Sequence, residues 1–139
     1  MSIETKFKKV VVSGKRKRAI ARAVVTNGTG KVIVNQLNYE SLPFFAKLTI
    51  SEPIRIAEQV LGKLTFDAIV TVRGGGEKGQ TEAVRLAIAK GYVKFTASEE
   101  LKKTFLQYDR NLLVADIRRK ETRKPGDSKA RAKRQTSYR

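Results

Sequence analysis

The chain has no cysteine, no histidine and no tryptophan. Without cysteine there is no disulfide framework and no thiolate chemistry. Without histidine, the commonest general base near neutral pH and the commonest metal ligand are both missing. Acids are also scarce: 13 Asp and Glu face 30 Lys and Arg, for a formal net charge of +17 over 139 residues. Those acids never cluster at ligand-like spacing, which argues against a metal site. No apolar run approaches the roughly 20 residues of a membrane-spanning helix. The N-terminal MSIETKFKKVVVSGKRKR has no apolar stretch followed by a small-residue cleavage site, so a cytosolic (cytoplasmic) protein is expected.

What is present is positive charge, unevenly placed. Residues 1–18 hold seven bases and one acid, residues 19–117 hold 13 and 10, and residues 118–139 hold ten and two. This distribution describes a nearly neutral body with a cationic segment at each end. The length suits one domain plus tails, and the composition break places a globular domain at 1–117 and an extended basic tail at 118–139. The tail bases are Arg118, Arg119, Lys120, Arg123, Lys124, Lys129, Arg131, Lys133, Arg134 and Arg139, opposed only by Glu121 and Asp127. No aliphatic side chain larger than Ala occurs among them. Such a segment cannot bury enough apolar surface to offset the entropy of ordering its backbone. A polyanion would hold it, and a nucleic acid is the obvious one. An anionic membrane would need an apolar face on a basic helix, which the tail lacks.

The body reads as α+β. Lys8–Ser13 is a short strand broken by Gly14, and Lys15–Arg18 is a block of four bases. Ala19–Thr26 resumes as strand, with Arg22 pointing outward. Asn27-Gly28-Thr29-Gly30, between two β-branched runs, predicts a tight hairpin into Lys31–Val34. Pro43 opens one helical turn, and Pro53 opens an amphipathic helix stopped by Gly62. Leu64–Val72 is a strand with Phe66, Ala68, Val70 and Val72 on one face. A loop at 73–79 leads to a helix over Gln80–Gly91, and Thr96–Glu99 resembles a capping box before a helix at Ser98–Leu106. This order predicts a two-layer sandwich, a mostly antiparallel four-stranded sheet with helices on one face.

Three segments are suited to anions. In the first, Gly74, Gly75 and Gly76 join a strand to a helix, so backbone can approach a phosphate near unpaired helix N–H groups, with Arg73 and Lys78 adding charge. It is not a Walker loop, because Gln80 stands where the lysine would follow Gly79, and the acid expected about 20 residues beyond a dinucleotide fingerprint is absent. A tight strand-to-helix turn is the lesser alternative for these glycines. The second is Lys15, Arg16, Lys17 and Arg18, reinforced by Arg22 and by Lys6, Lys8 and Lys9. A charged sheet edge would need fewer consecutive bases, and RNA phosphate contact accounts for the clustering. The third is the tail, whose small interleaved residues would let Lys and Arg reach phosphates on both sides of a narrow passage. Tyr138 is its one aromatic and can stack on a base.

The run GGGEKGQTEAVRLAIAKGY resembles the signature of the small-subunit ribosomal protein nine family, matching at Gly74, Gly75, Gly76, Gly79, Gln80, Ala83, Ala87, Ala89, Lys90 and Gly91. Gly14–Val25, Gly28–Asn35 and Ser128–Arg139 resemble it too, in the same order. The ending Ser137-Tyr138-Arg139 is similar to the archaeal and eukaryotic branch, whereas bacterial relatives tend to end in Ser-Lys-Arg. The resemblance implies a fold like the second domain of small-subunit ribosomal protein five, including a left-handed βαβ crossover that ordinary handedness rules disfavour. It implies a body bound to 16S/18S-type ribosomal RNA in the head of the small subunit, beside other head proteins. Its tail would reach the peptidyl-site transfer RNA, with Ser137, Tyr138 and Arg139 at the tip.

The expected function is therefore that of a non-enzymatic ribosomal RNA-binding protein without cofactor or metal. The RNA-contacting residues would be Lys15–Arg18, Arg22, Arg73–Gly76, Lys78, Gln80 and the tail bases. A small nucleotide-binding phosphotransferase using the 74–79 loop is the alternative from another class. A DNA-architectural protein is a third, though it lacks a helix-turn-helix, zinc or heptad signature.

Overall fold

The computed structural model describes residues 8–138, so Lys6 and the tail tip Arg139 lie outside the described residues. Five strands, β1 (Lys9–Arg16), β2 (Ala19–Asn27), β3 (Val32–Val34), β4 (Leu37–Asn38) and β5 (Phe66–Arg73), form one sheet in the order β1-β2-β5-β3-β4. Three α-helices, α1 (Phe44–Leu61), α2 (Glu77–Thr96) and α3 (Glu99–Tyr108), lie on one face of it. The α+β sandwich is as expected. The strand count is five rather than four, because the two-residue β4 is too short to show a hydrophobic period. It folds back on β3 through Asn35 and Gln36, both at positive φ (46° and 70°).

The core follows the strand alternation. Ala19, Ala21, Ala23 and Val25 of β2, with Phe66, Ala68, Val70 and Val72 of β5, are all buried toward the helices. Helix α2 lies across β1, β2 and β5, and α1 packs on α2 and α3. Small residues bring α2 close to the sheet. Gly14 is buried inside β1 instead of breaking it. A Cβ there would run into the Ala83 carbonyl and lie 2.7 Å from the Ala87 nitrogen. Its missing side chain is a clearance for the helix.

The 27–30 segment is not a hairpin. β2 pairs antiparallel with β5, and β3 pairs in parallel with the far side of β5. The Asn-Gly turn chemistry serves another end: the backbone N–H groups of Thr29, Gly30 and Lys31 all donate to Oδ1 of Asp67, at 2.8, 2.9 and 2.8 Å. The loop is thus wound around a carboxylate on β5 and steps over that strand. Lys15 and Arg16 end β1, and Lys17 and Arg18 form the turn between β1 and β2.

Pro53 sits within α1, buried, and does not start a helix. Lacking an N–H, it leaves one carbonyl of the preceding turn without its usual donor. Nearby, the Ser51 hydroxyl donates to the Leu48 carbonyl at 2.7 Å, and that of Thr49 to the Phe45 carbonyl at 3.0 Å. Gly62 ends the helix at φ 76°, as its position predicts. α2 continues past Gly91 to Thr96. The cap of α3 is Ser98, whose Oγ accepts from the Leu101 N–H, while Thr96 bonds back to the Tyr92 carbonyl.

Burial pushes the Asp67 carboxyl up, but the N–H groups of Lys31, Thr29 and Gly30 outweigh it and hold the group below its usual range. A carboxyl lowered on folding contributes stability that is complete above its unfolded-state value and is lost as pH falls through the folded one. Asp67→Asn is expected to cost about 1–3 kcal/mol at neutral pH. In thermal melts from pH 7 to pH 2, the gap between parent and variant should narrow toward the acid end.

Candidate nucleic-acid interface

Three segments far apart in sequence meet at one end of the sandwich. The first is the β1–β2 turn, where Arg16 pairs with Ala19 and only Lys17 and Arg18 lie between. Lys17 takes φ 52°, a left-handed conformation that a Cβ-bearing residue adopts at a cost of about 1 kcal/mol. The second is the glycine loop after β5. Gly74 (φ 77°) and Gly75 (φ 66°) lie directly on that turn. A Cβ on Gly74 would sit 2.7 Å from the Arg18 carbonyl oxygen, and one on Gly75 would sit 2.9 Å from the Ala19 nitrogen. These two glycines are needed both for backbone sign and for approach. Gly76 meets nothing within 4 Å and stands before the first turn of α2, whose N–H groups receive no side-chain cap. The third segment is the base of the tail: Arg118, Arg119 and Lys120 stand across an open cleft of about 700 Å³ from Lys17, Arg18, Gly75 and Gly76.

Each sequence-predicted residue within 8–138 has a definite place. Lys17, Arg18, Arg119 and Lys120 are exposed around the cleft. Lys15, Arg22 and Arg73 are exposed on the sheet face that carries no helix, with Lys15 and Arg73 both opposite Ile20. Lys78 is exposed on the first turn of α2. Gln80 acts within the loop: its Nε2 donates to the Gly74 carbonyl at 3.1 Å, and its N–H bonds the Gly76 carbonyl. Its amide is therefore occupied in holding the glycine loop. Arg123, Lys124, Lys129, Arg131, Lys133, Arg134, Ser137 and Tyr138 are exposed along a tail without helix or strand. Arg131 pairs there with Glu121 at 2.8 Å.

Two of the residues predicted to contact RNA are paired with acids of the body. Arg16, with its side chain only 15% exposed, pairs with Glu82 and stands 3.3 Å from Asp116. Nη1, the atom facing Asp116, is within ion-pair range but makes no hydrogen bond, so attraction there is electrostatic. The Arg118 N–H, Nε and Nη2 all donate to Asp116, at 3.0, 2.9 and 2.7 Å. The hydrogen bonds from Arg118, followed by the charges of Arg118 and Arg16, hold the Asp116 carboxyl well below the usual range. Beside this group, Arg85 bridges Glu52 and Asp109.

Sequence reasoning missed two residues that shape the cleft. Asp116 is one; its signal was an acid two residues before a basic run, the spacing at which Asp bonds the following backbone. Asn35 is the other. Its side chain accepts from the Val72 N–H at 2.9 Å and donates to the Val72 carbonyl at 3.3 Å, extending the sheet beside β5 where the glycine loop begins. Nothing in its local sequence indicated a partner 37 residues away.

The arrangement is suited to anions, with exposed cations beside backbone N–H groups that carry no side-chain cap. Among the described residues, no group of three or more His, Cys, Asp or Glu is placed to share a metal ion, and no helix is long and apolar enough to cross a membrane.

A family profile described as ribosomal protein S9/S16 matches residues 14–139, taking in the basic turn, the glycine loop and the tail. The chain belongs to this family. Similar proteins are the small ribosomal subunit protein uS9 of Methanococcus vannielii, 45% identical over 136 residues covering 96% of this chain and 100% of the relative, and that of Thermoplasma volcanium, 47% identical over 131 residues covering 94% and 98%. The protein of the same name from Desulfurococcus amylolyticus is 45% identical over 141 residues, covering 99% and 98%. As an S9/S16 protein, the chain has relatives that it matches along nearly their whole length, tail included.

Two outcomes test this geometry. Lys17→Gly should raise the thermal stability of the isolated chain by up to about 1 kcal/mol, because glycine adopts the turn conformation freely. Asp116→Ala should leave the melting of the body nearly unchanged and speed amide hydrogen exchange at residues 117–120. Unchanged exchange there would mean that Asp116 does not secure the tail base.

Proposed function

We propose that this chain is a structural, non-enzymatic protein of the small ribosomal subunit. In this reading its body binds ribosomal RNA in the head through the turn–loop–tail cleft, and its tail extends through RNA toward the peptidyl-site transfer RNA. Family membership and the names of its relatives support the place in the small subunit. The observation that carries RNA binding is the convergence of Lys17, Arg18, Arg119 and Lys120 on a glycine-lined helix N-terminus. Cations beside open backbone N–H groups suit phosphates, and their arrangement around a cleft suits the shape of folded RNA.

The mechanism is electrostatic. Lys and Arg displace counterions condensed on RNA, so affinity falls steeply with salt. The tail is ordered by the phosphates it meets, having no apolar surface of its own to order it. Fully extended, 22 residues span at most about 75 Å, a reach well beyond the body. Arg123 to Arg134 act as the guide, and Ser137, Tyr138 and Arg139 as the tip. The protein works in the cytoplasm, where small subunits operate. A phosphotransferase built on the same loop would lack its lysine, since Gln80 stands in that position with its amide turned onto Gly74.

Sedimentation of cell lysate through a gradient in moderate magnesium should place the chain with small subunits; finding it mostly free would overturn the proposal. Removing Ser128–Arg139 should preserve that association and weaken transfer RNA binding at the peptidyl site by about tenfold or more, since several charge-assisted contacts go together. Equal transfer RNA binding by the truncated form would remove the tail from this role.

A further inference from the structure

Among the described residues no helix covers the sheet face opposite α1–α3, and strand register sorts its side chains into rows. Nearest the basic turn, Lys15, Ile20 and Arg73 align across β1, β2 and β5; next come Ser13, Arg22 and Thr71. The third row is different. Val11 faces Val24, Val24 faces Ile69, and Ile69 faces Ile33, giving four β-branched aliphatic residues across four strands. Val11 is 40% exposed and Ile69 50% exposed. At the strand spacing of about 4.8 Å, the row is roughly 15 Å long. Beyond it stand Lys9, Thr26 and Asp67, and Asp67 is engaged by its loop.

We propose that this row is a docking surface for a neighbouring protein of the small subunit, specifically for a segment that places apolar side chains on Val11, Val24, Ile33 and Ile69 and carries acidic residues beside them. The inference rests on the ribosomal reading above and adds a partner and a place. Two observations choose the occupant. The row holds no aromatic ring, so it offers unpaired bases nothing to stack on, and no cation, so it offers phosphates nothing to pair with. Its removal from water therefore asks for another apolar surface. In the adjoining rows stand Lys9 and Arg22, and Lys15 and Arg73 lie one row further toward the turn, with no unengaged acid on the described face. That border favours an acidic partner by charge complementarity and disfavours a basic one. A patch of this size is below that of a standard stable interface, which suits a contact held within a larger assembly.

The test places a photo-cross-linking amino acid at Val11 of the full-length chain, assembles it into small subunits, and identifies the adducts by mass spectrometry. The expected product is a peptide of another subunit protein with apolar residues inside a net acidic stretch. Replacing Val24 and Ile69 with Thr keeps the β-branch and should leave the melting temperature of the isolated chain nearly unchanged. The same double replacement should lower adduct yield roughly tenfold. An adduct to RNA, to residues 1–7 of the chain itself or to a basic protein segment would overturn the proposal, as would no adduct or an undiminished yield in the double variant. Failure of the unmodified chain to sediment with small subunits would overturn the ribosomal reading and this inference together.

Discussion

The close approach of α2 to the sheet governs the rest of the molecule. Gly14 leaves room for the backbone around Ala83 and Ala87, and Ala21, Ala23 and Ala83 are completely buried in the same layer. Interiors pack at crystal-like density, so a thin layer of small residues holds the helix at a short, defined distance. That distance brings the first turn of α2 over the β1–β2 turn. From there, Gly74 and Gly75 can rest on the Arg18–Ala19 backbone. A larger residue at position 14 would lift the helix and open the cleft, which begins two residues further along the strand.

Charge is then arranged around this frame with little waste. Acids in the body are paired where the basic end begins: Glu82 and Asp116 with Arg16, Asp116 with Arg118, and Glu52 and Asp109 with Arg85. The pairs hold the tail base against the body and leave Lys17, Arg18, Arg119 and Lys120 to solvent. A clamp and a set of exposed cations are thus built from neighbouring residues of the same type, sorted by whether an acid lies within reach.

Much of this was legible in the sequence, and the errors have physical causes. The alternation at Phe66–Val72 and the glycine stop at Gly62 depend on neighbours a few residues away, and both read correctly. The Asn27–Gly30 segment has hairpin chemistry, yet its turn-forming N–H groups are satisfied by Asp67, 36 to 38 residues distant, and no local pattern reports that. Pro53 looked like a helix start because proline favours first turns; tertiary burial of its ring places it within a longer helix instead. At the cleft, the basic turn, glycine loop and tail were each visible as a segment. Their meeting, and the internal pairing of Arg16, were set by register and long-range packing.

The insertion of β5 between β2 and β3 also has a kinetic consequence. The β1–β2 hairpin is local and can close early, presenting Lys17 and Arg18 before the sheet is complete. The glycine loop reaches the turn only after β5 has bridged some forty residues and paired on both sides, the kind of non-local step that slows folding. The cleft therefore belongs to the finished fold alone. Any polyanion that selects the cleft over the bare hairpin draws the chain toward that fold by mass action, so binding and the last stage of folding are one equilibrium.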